Sequence, residues 1–213
     1  MGLNKTKIEW CDYTWNPITG CSAISDGCKN CYAAALSKRF GWHWGSSIFH
    51  SDRINDPINT KVPSRIFVCS MSDIAHDTVW HGWIDIIAHV MRSANWHQYI
   101  VLTKRPDKML YDKFPISTWI GVTIESQKYM HRWKTLCERW PTTKFASIEP
   151  MLTPVTFLEQ AIQPDWVIAG PETGPNKRQF KDEWINSLSK ESPVFFDKRK
   201  TGWSRREYPI SGN

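Results

Sequence analysis

The sequence predicts an α/β fold, a partial (β/α) barrel of about six to seven mostly parallel strands with helices outside. Two observations predict it. Short β-branched or apolar runs alternate with helical patterns along most of the 213 residues, the order of βαβ units. Polar residues also follow nearly every strand at its C-terminal end, where parallel α/β folds gather their ligands. A doubly wound open sheet shows the same alternation and stays open as the alternative.

The first strand spans Tyr13 to Thr19, and a helix from Tyr32 to Phe40 follows a short loop. Gly41 to Ser64, rich in Gly, Ser, Asn, Asp and Pro, reads as the longest loop. Arg65–Ser70 is the second strand. A helix over Val79–Asn95 follows, with Val79, Trp83, Ile86, Ile87, Val90 and Met91 on one face. Gln98–Thr103 is the third strand, and a short helix is expected after Pro106. Thr118–Thr123 is the fourth strand, and residues 126–139 read as a helix that Trp140-Pro141 ends. Lys144–Ile148, Asp165–Gly170 and Pro193–Phe196 complete seven strands, with helical stretches near 154–162 and 181–191.

Length and composition point to one domain over 1–213, with 41% hydrophobic residues. No apolar run of about 18 residues suggests a membrane span, and the N-terminus lacks a signal-peptide pattern. A reducing cytoplasm is therefore expected, where six cysteines argue for metal or redox chemistry more than disulfides. Of the net charge of +6, residues 173–213 carry +4, a basic C-terminal segment that a nucleic acid or plain solvent would suit. Most of the thirteen tryptophans read as core, and a few could stack on bases.

Cys21, Cys28 and Cys31 form a C-x6-C-x2-C pattern between the first strand and the first helix. Three thiolates so close together suit an iron–sulfur cluster. A cubane with three protein ligands leaves one iron for an outside ligand, a place for the amino and carboxylate groups of S-adenosylmethionine. A structural zinc would need a fourth ligand from Cys11, Cys69, His43 or His50. That reading makes the chain a zinc-stabilised nucleic-acid-binding module without catalysis. At the strand ends stand Ser70, Ser72 and Asp73, then Lys104 and Arg105, Thr123 and Glu125, Glu149, and Glu172.

These segments resemble a family of phage-associated radical S-adenosylmethionine-like proteins with a three-cysteine motif. The resemblance rests on Thr6–Trp10, Thr14–Cys21, Gly27–Ala33, Ser70–Asp73, Leu102–Pro106, Ile120–Glu125, Ser147–Pro150 and Trp166–Pro175, nearly the whole chain. The chain departs from the common C-x3-C-x2-C spacing, and Asn30 rather than an aromatic precedes the third cysteine, with Tyr32 after it. The resemblance implies a 4Fe–4S cluster on the three cysteines, S-adenosylmethionine as cofactor and a partial barrel. Reductive cleavage would give a 5′-deoxyadenosyl radical, with a flavodoxin-like protein as reductant. On position, Ser70, Ser72 and Asp73 are the candidates for the methionyl end, Thr123 and Glu125 for the ribose side, and Tyr32 for a further cofactor contact. Lys104, Glu149 and Glu172 are left as catalytic candidates. A phage context suggests DNA or a modified nucleotide as substrate, with rearrangement of an amino-acid-decorated thymine or repair of a damaged pyrimidine as the chemistry. Lys177, Arg178, Lys198, Arg199, Lys200, Arg205 and Arg206, with Trp203 and Tyr208 among them, are expected to carry DNA contacts.

Overall fold

The computed structural model describes residues 3–158, 161–173, 176–191, 194–199 and 206–209. The chain passes through β1 (Asn4–Lys5), β2 (Tyr13–Trp15), β3 (Ile18–Thr19), α1 (Tyr32–Phe40), β4 (Ile48–Phe49), α2 (Asp56–Asn59) and β5 (Arg65–Val68). It continues through α3 (His81–Ser93), β6 (Gln98–Thr103), β7 (Trp119–Thr123), α4 (His131–Arg139), β8 (Lys144–Ile148), β9 (Trp166–Ala169), α5 (Asp182–Glu191) and β10 (Phe195–Asp197).

Strand order decides between the two architectures. A doubly wound sheet reverses its order at a switch point. Here the order β1-β2-β5-β6-β7-β8-β9-β10 never reverses. Every pairing from β2 to β10 is parallel, and β1 alone adds antiparallel. The fold is thus a partial barrel, and the strands' C-terminal ends share one rim.

Both faces of the sheet are buried, the condition under which parallel strands read as continuous apolar runs. On the outer face Ile66, Val68, Val101, Ile120, Val122, Ala146 and Val167 pack with Ile87, Met91, Leu136 and Ile185 of α3, α4 and α5. On the inner face Phe67, Ile100, Trp119, Phe145, Trp166, Ile168 and Phe196 close around Trp10. Gly121 allows this, because a Cβ there would sit 2.4 Å from the Phe145 ring. Aromatic bulk thus plugs the lower part of the barrel and leaves its upper part to the polar strand ends.

Several boundaries differ from the sequence expectation. The first strand is broken at Asn16-Pro17, and its second half pairs with β4 in a separate two-stranded sheet. The Asn16 side chain accepts from Ser70 Oγ (3.1 Å) and Met71 N (3.0 Å), tying the break to the rim. The helix expected after Pro106 is only a single 3-10 turn, Tyr111–Lys113. The helix expected at 154–162 does not form over 154–158. The Gln127 amide instead clamps both polar groups of Thr156, at 3.0 and 3.2 Å. Gly174, Pro175, Pro193, Lys200, Trp203 and Arg205, on which some expectations fell, lie outside the described residues.

Candidate functional site

The cysteine loop begins at Gly20, and the turn there demands glycine. Its φ is +90°, and a Cβ would lie 2.0 Å from the Ser46 carbonyl oxygen. Gly20 N donates to Met71 O (3.0 Å) and Ser72 Oγ donates to Gly20 O (2.7 Å), fixing the loop to the β5 rim. Cys69, just after β5, sits in the left-handed region (φ 60°) and swings the chain into Ser70–Asp73. A 3-10 turn carries Asp26–Cys28, and Cys31 caps the N-terminus of α1.

Cys21, Cys28 and Cys31 are half-buried, free and on the wall of one cavity of about 530 Å3. The cavity is within the usual size range of ligand pockets. Its rim gathers residues from the end of nearly every strand. Tyr32, Ser70, Ser72, Asp73, Lys104, Thr123, Glu149 and Glu172 all line it. Glu125 does not; it is fully buried behind Lys104.

Two cations govern the thiols. Arg105 Nη1 reaches Cys21 Sγ (3.7 Å) and Asp73 Oδ2 (3.2 Å), while its Nη2 donates to Ser22 O (3.0 Å). Burial raises the Cys21 thiol, Asp73 adds to the rise, and Arg105 opposes it. Burial also acts to raise Cys28, but Lys104 and the Ser25 hydroxyl outweigh it and leave that thiol below its ordinary value. The other thiols are unlike these. Burial pushes Cys11 and Cys69 up to about 12 and Cys137 to about 11, so they stay protonated and are poor ligands.

The donor set fits a cluster better than an ion. Among the described residues no three His, Cys, Asp or Glu side chains are placed to hold a single metal ion, whereas a closed zinc site needs four converging ligands. A cubane binds each thiolate to a different iron, so three thiolates around one cavity wall suffice.

Each carboxylate of the rim has a partner from the chain itself. Asp73 Oδ1 accepts from Thr103 Oγ1 (2.7 Å) and Ala75 N (3.0 Å), and Oδ2 accepts from Lys104 N (3.0 Å). Glu149 pairs with Lys198. Glu125 Oε1 takes Lys104 Nζ and Ser25 Oγ (2.5 Å), and Oε2 takes Arg132 Nη1 (2.9 Å). Placed on sequence grounds at the ribose, Glu125 is instead a bracket under the cysteine loop. Glu172 pairs with Arg178, whose Nη1 crosses to Asp26 O (2.9 Å). Sequence reading assigned no part in the site to Arg132, Ser25 or Ser22, and it read Arg178 and Lys198 only as basic-tail residues. Nothing in an isolated Arg on a helix marks where its guanidinium will fold back.

The Glu172–Arg178 pair makes a measurable pH signature. Arg178 holds the Glu172 carboxyl at about 2, down from the ordinary 4.5. A lowered carboxylate stabilises the fold fully above its unfolded value and loses that contribution as pH falls through its folded one. The stability gap between wild type and Glu172→Gln should therefore be full above about pH 4.5 and close toward pH 2. Urea unfolding across that range reads it, and a gap independent of pH would reject the pairing.

The basic C-terminal segment is not a solvated tail where it is described. Arg199 pairs with Asp197 and Asp182, and Arg206 with Glu9. Tyr208 packs on Trp166 and Phe196 at the sheet edge. These cations are occupied within the fold, which corrects the expectation that they serve as free phosphate contacts.

Residues 5–208 match the family model described as "Protein of unknown function (DUF5131)". No curated protein matches the chain. Among solved structures, spore photoproduct lyase complexed with dinucleoside spore photoproduct superposes with a TM-score of 0.58 at 10% identity, over 92% of this chain and 78% of that one. A point mutant of the same lyase gives 0.59 at 10% identity, over 93% and 79%. A double mutant with bound AdoMet and dinucleoside spore photoproduct gives 0.57 at 10% identity, over 95% and 65%. At such identities the likeness is one of fold.

Proposed function

This chain belongs to the DUF5131 family, and we propose that it is a radical S-adenosylmethionine enzyme acting on a modified or damaged pyrimidine, in DNA or as a nucleotide. One observation carries the reading. The three cysteines of the C-x6-C-x2-C loop share a single cavity with the polar rim of a partial barrel. The fold shared with a lyase solved with AdoMet and a dinucleoside photoproduct supports the same reading.

When bound, a 4Fe–4S cluster would supply one electron that splits S-adenosylmethionine into methionine and a 5′-deoxyadenosyl radical, which takes hydrogen from the substrate. Cys21, Cys28 and Cys31 would hold the cluster, with Arg105 and Lys104 offsetting thiolate charge. Ser70, Ser72 and Asp73 would face the methionyl end, hydroxyl and carboxylate oxygens accepting from its ammonium. Thr123, the Lys104–Glu125 pair and Tyr32 would line the nucleoside end. Glu149 with Lys198, and Glu172 with Arg178, are the groups left for substrate. The inner aromatic plug keeps water from entering below. A flavodoxin-like protein would be the reductant. Among the described residues no helix is long and apolar enough to cross a membrane.

Anaerobically reconstituted protein with S-adenosylmethionine and dithionite should release 5′-deoxyadenosine and methionine, slowly alone and faster with the right substrate. An intact cluster that yields no 5′-deoxyadenosine with any pyrimidine substrate would overturn the proposal.

A further inference from the structure

Residues 27–51 contain Lys29, Lys38, Arg39, His43 and His50 and not one Asp or Glu. This is also the part of the chain that leaves aromatic rings in solvent. Lys38, Arg39, Phe40, Gly41, Trp42 and His43 are consecutively exposed. Phe40 is 54% and Trp42 56% exposed, and such large rings are ordinarily covered. The two rings stack on each other, centroids 5.0 Å apart at 26°, and the Arg39 guanidinium lies over Phe40 at 5.4 Å. The arrangement is built into the backbone. Gly41, at φ +65°, ends α1, and Trp42 N donates to Ser37 O (2.8 Å), folding Trp42 back beside Phe40.

The patch is continuous with the cavity. α1 starts at Tyr32, which lines the cavity, and the chain returns from the ring pair to Trp44, which lines it too. Gly45 N donates to Cys21 O (3.1 Å), so the return strap is tied to the cysteine loop. Charge separates this surface from the C-terminal segment. There Arg178, Lys198, Arg199 and Arg206 face carboxylates, whereas among the described residues Lys29, Lys38 and Arg39 have no carboxylate within ion-pair distance.

We propose that the Lys38–Trp42 patch is the docking platform for a single-stranded or locally unpaired nucleic acid, whose bases stack on the Phe40–Trp42 pair while its phosphates lie beside Lys38 and Arg39. Exposed π-faces beside unpaired cations are the elements by which proteins hold single strands without reading sequence. Phosphates complement a stretch of chain that has only positive charge. A base that must leave its stack to reach a cavity needs such a support next to the mouth. The inference deepens the proposed function by naming where its substrate is presented, and it rests only on the substrate class of that reading.

The test uses the anaerobically reconstituted protein and a fluorescein-labelled thymidine 12-mer. Wild type should bind it with an affinity that falls steeply with salt. Phe40→Ala/Trp42→Ala should weaken binding about tenfold or more with the salt slope kept. Lys38→Ser/Arg39→Ser should flatten the slope by about 1.4, or 0.7 for each phosphate released from a single strand. Both variants change exposed side chains, so thermal unfolding should match wild type, and substrate-free 5′-deoxyadenosine release should be unchanged. Loss of 5′-deoxyadenosine in wild type with binding intact would fault the radical reading alone. No binding by wild type, or equal affinities in all three proteins, would overturn the platform. So would ring variants that abolish self-association in sedimentation, or binding to anionic vesicles, while leaving DNA affinity intact.

Discussion

Cys28→Ala should hold no iron–sulfur cluster after anaerobic reconstitution, and its 5′-deoxyadenosine release should fall to background. Cys21→Ala and Cys31→Ala should behave alike, because a cubane left with two protein thiolates loses a corner iron's anchor as well as its charge balance. The contrast within the chain makes the result diagnostic. Cys11, Cys69 and Cys137 carry the same thiol, but burial holds them at about 12, 12 and 11, so their replacement by alanine should leave iron content and visible absorbance at wild-type levels. Cys28 is the opposite case, held below its ordinary value once Lys104 and Ser25 outweigh burial. Ligation requires the thiolate. Lys104→Gln should therefore slow cluster assembly without removing a ligand. Iron and sulfide analysis with the visible spectrum reads every variant. A colourless wild-type protein that binds one zinc would favour the zinc-module reading, and full iron in Cys28→Ala would reject this ligand set.

The strands were legible because their burial is two-sided. Ile66, Ile100, Ile120, Phe145 and Ile168 are each fully or nearly fully buried, and a run of such residues needs no periodicity to be seen. The rim was legible for a related reason: Asp73, Lys104, Glu125, Glu149 and Glu172 interrupt apolar runs where a parallel sheet must stop. What each rim residue holds was not legible. Partner choice is set by residues distant in sequence, such as Arg132 for Glu125 and Lys198 for Glu149, and no local pattern encodes those pairings. The C-terminal cations misled in the same way, since their count is visible and their carboxylate partners are not. The break at Asn16-Pro17 was hidden because Trp15 and Ile18 on either side are both buried, so hydrophobicity runs through a strand end that backbone hydrogen bonding does not. The ring pair of Phe40 and Trp42 read as two more core candidates, because exposure of an aromatic is a tertiary property.

Glu125→Ala should destabilise the protein by about 3–5 kcal/mol, the usual effect of removing one partner from a buried ion pair. The Glu125 side chain is fully buried, and Arg132 beside it is 4% exposed. Without the carboxylate, Arg132 keeps only the Thr123 carbonyl (2.8 Å) and the face of Tyr129 (4.3 Å). The loss would reach the cysteine loop. Ser25 Oγ donates to Glu125 (2.5 Å), and Asp26 N donates to the Tyr129 hydroxyl (3.0 Å). The loop also lies directly on the carboxylate, because a Cβ at Gly27 would come within 2.6 Å of Glu125 Cγ and Oε1. Gly27→Ala should therefore displace Cys28 and lower cluster loading several-fold in the wild-type background. In the Glu125→Ala background the obstructing atoms are gone, so Gly27→Ala should add little further loss. Contacting residues couple in this non-additive way, whereas independent sites add within about 0.3–0.5 kcal/mol. Urea unfolding and iron content of the four proteins close the cycle. Equal costs of Gly27→Ala in both backgrounds would show that Glu125 does not support the cysteine loop and that its buried pair with Arg132 serves the sheet alone.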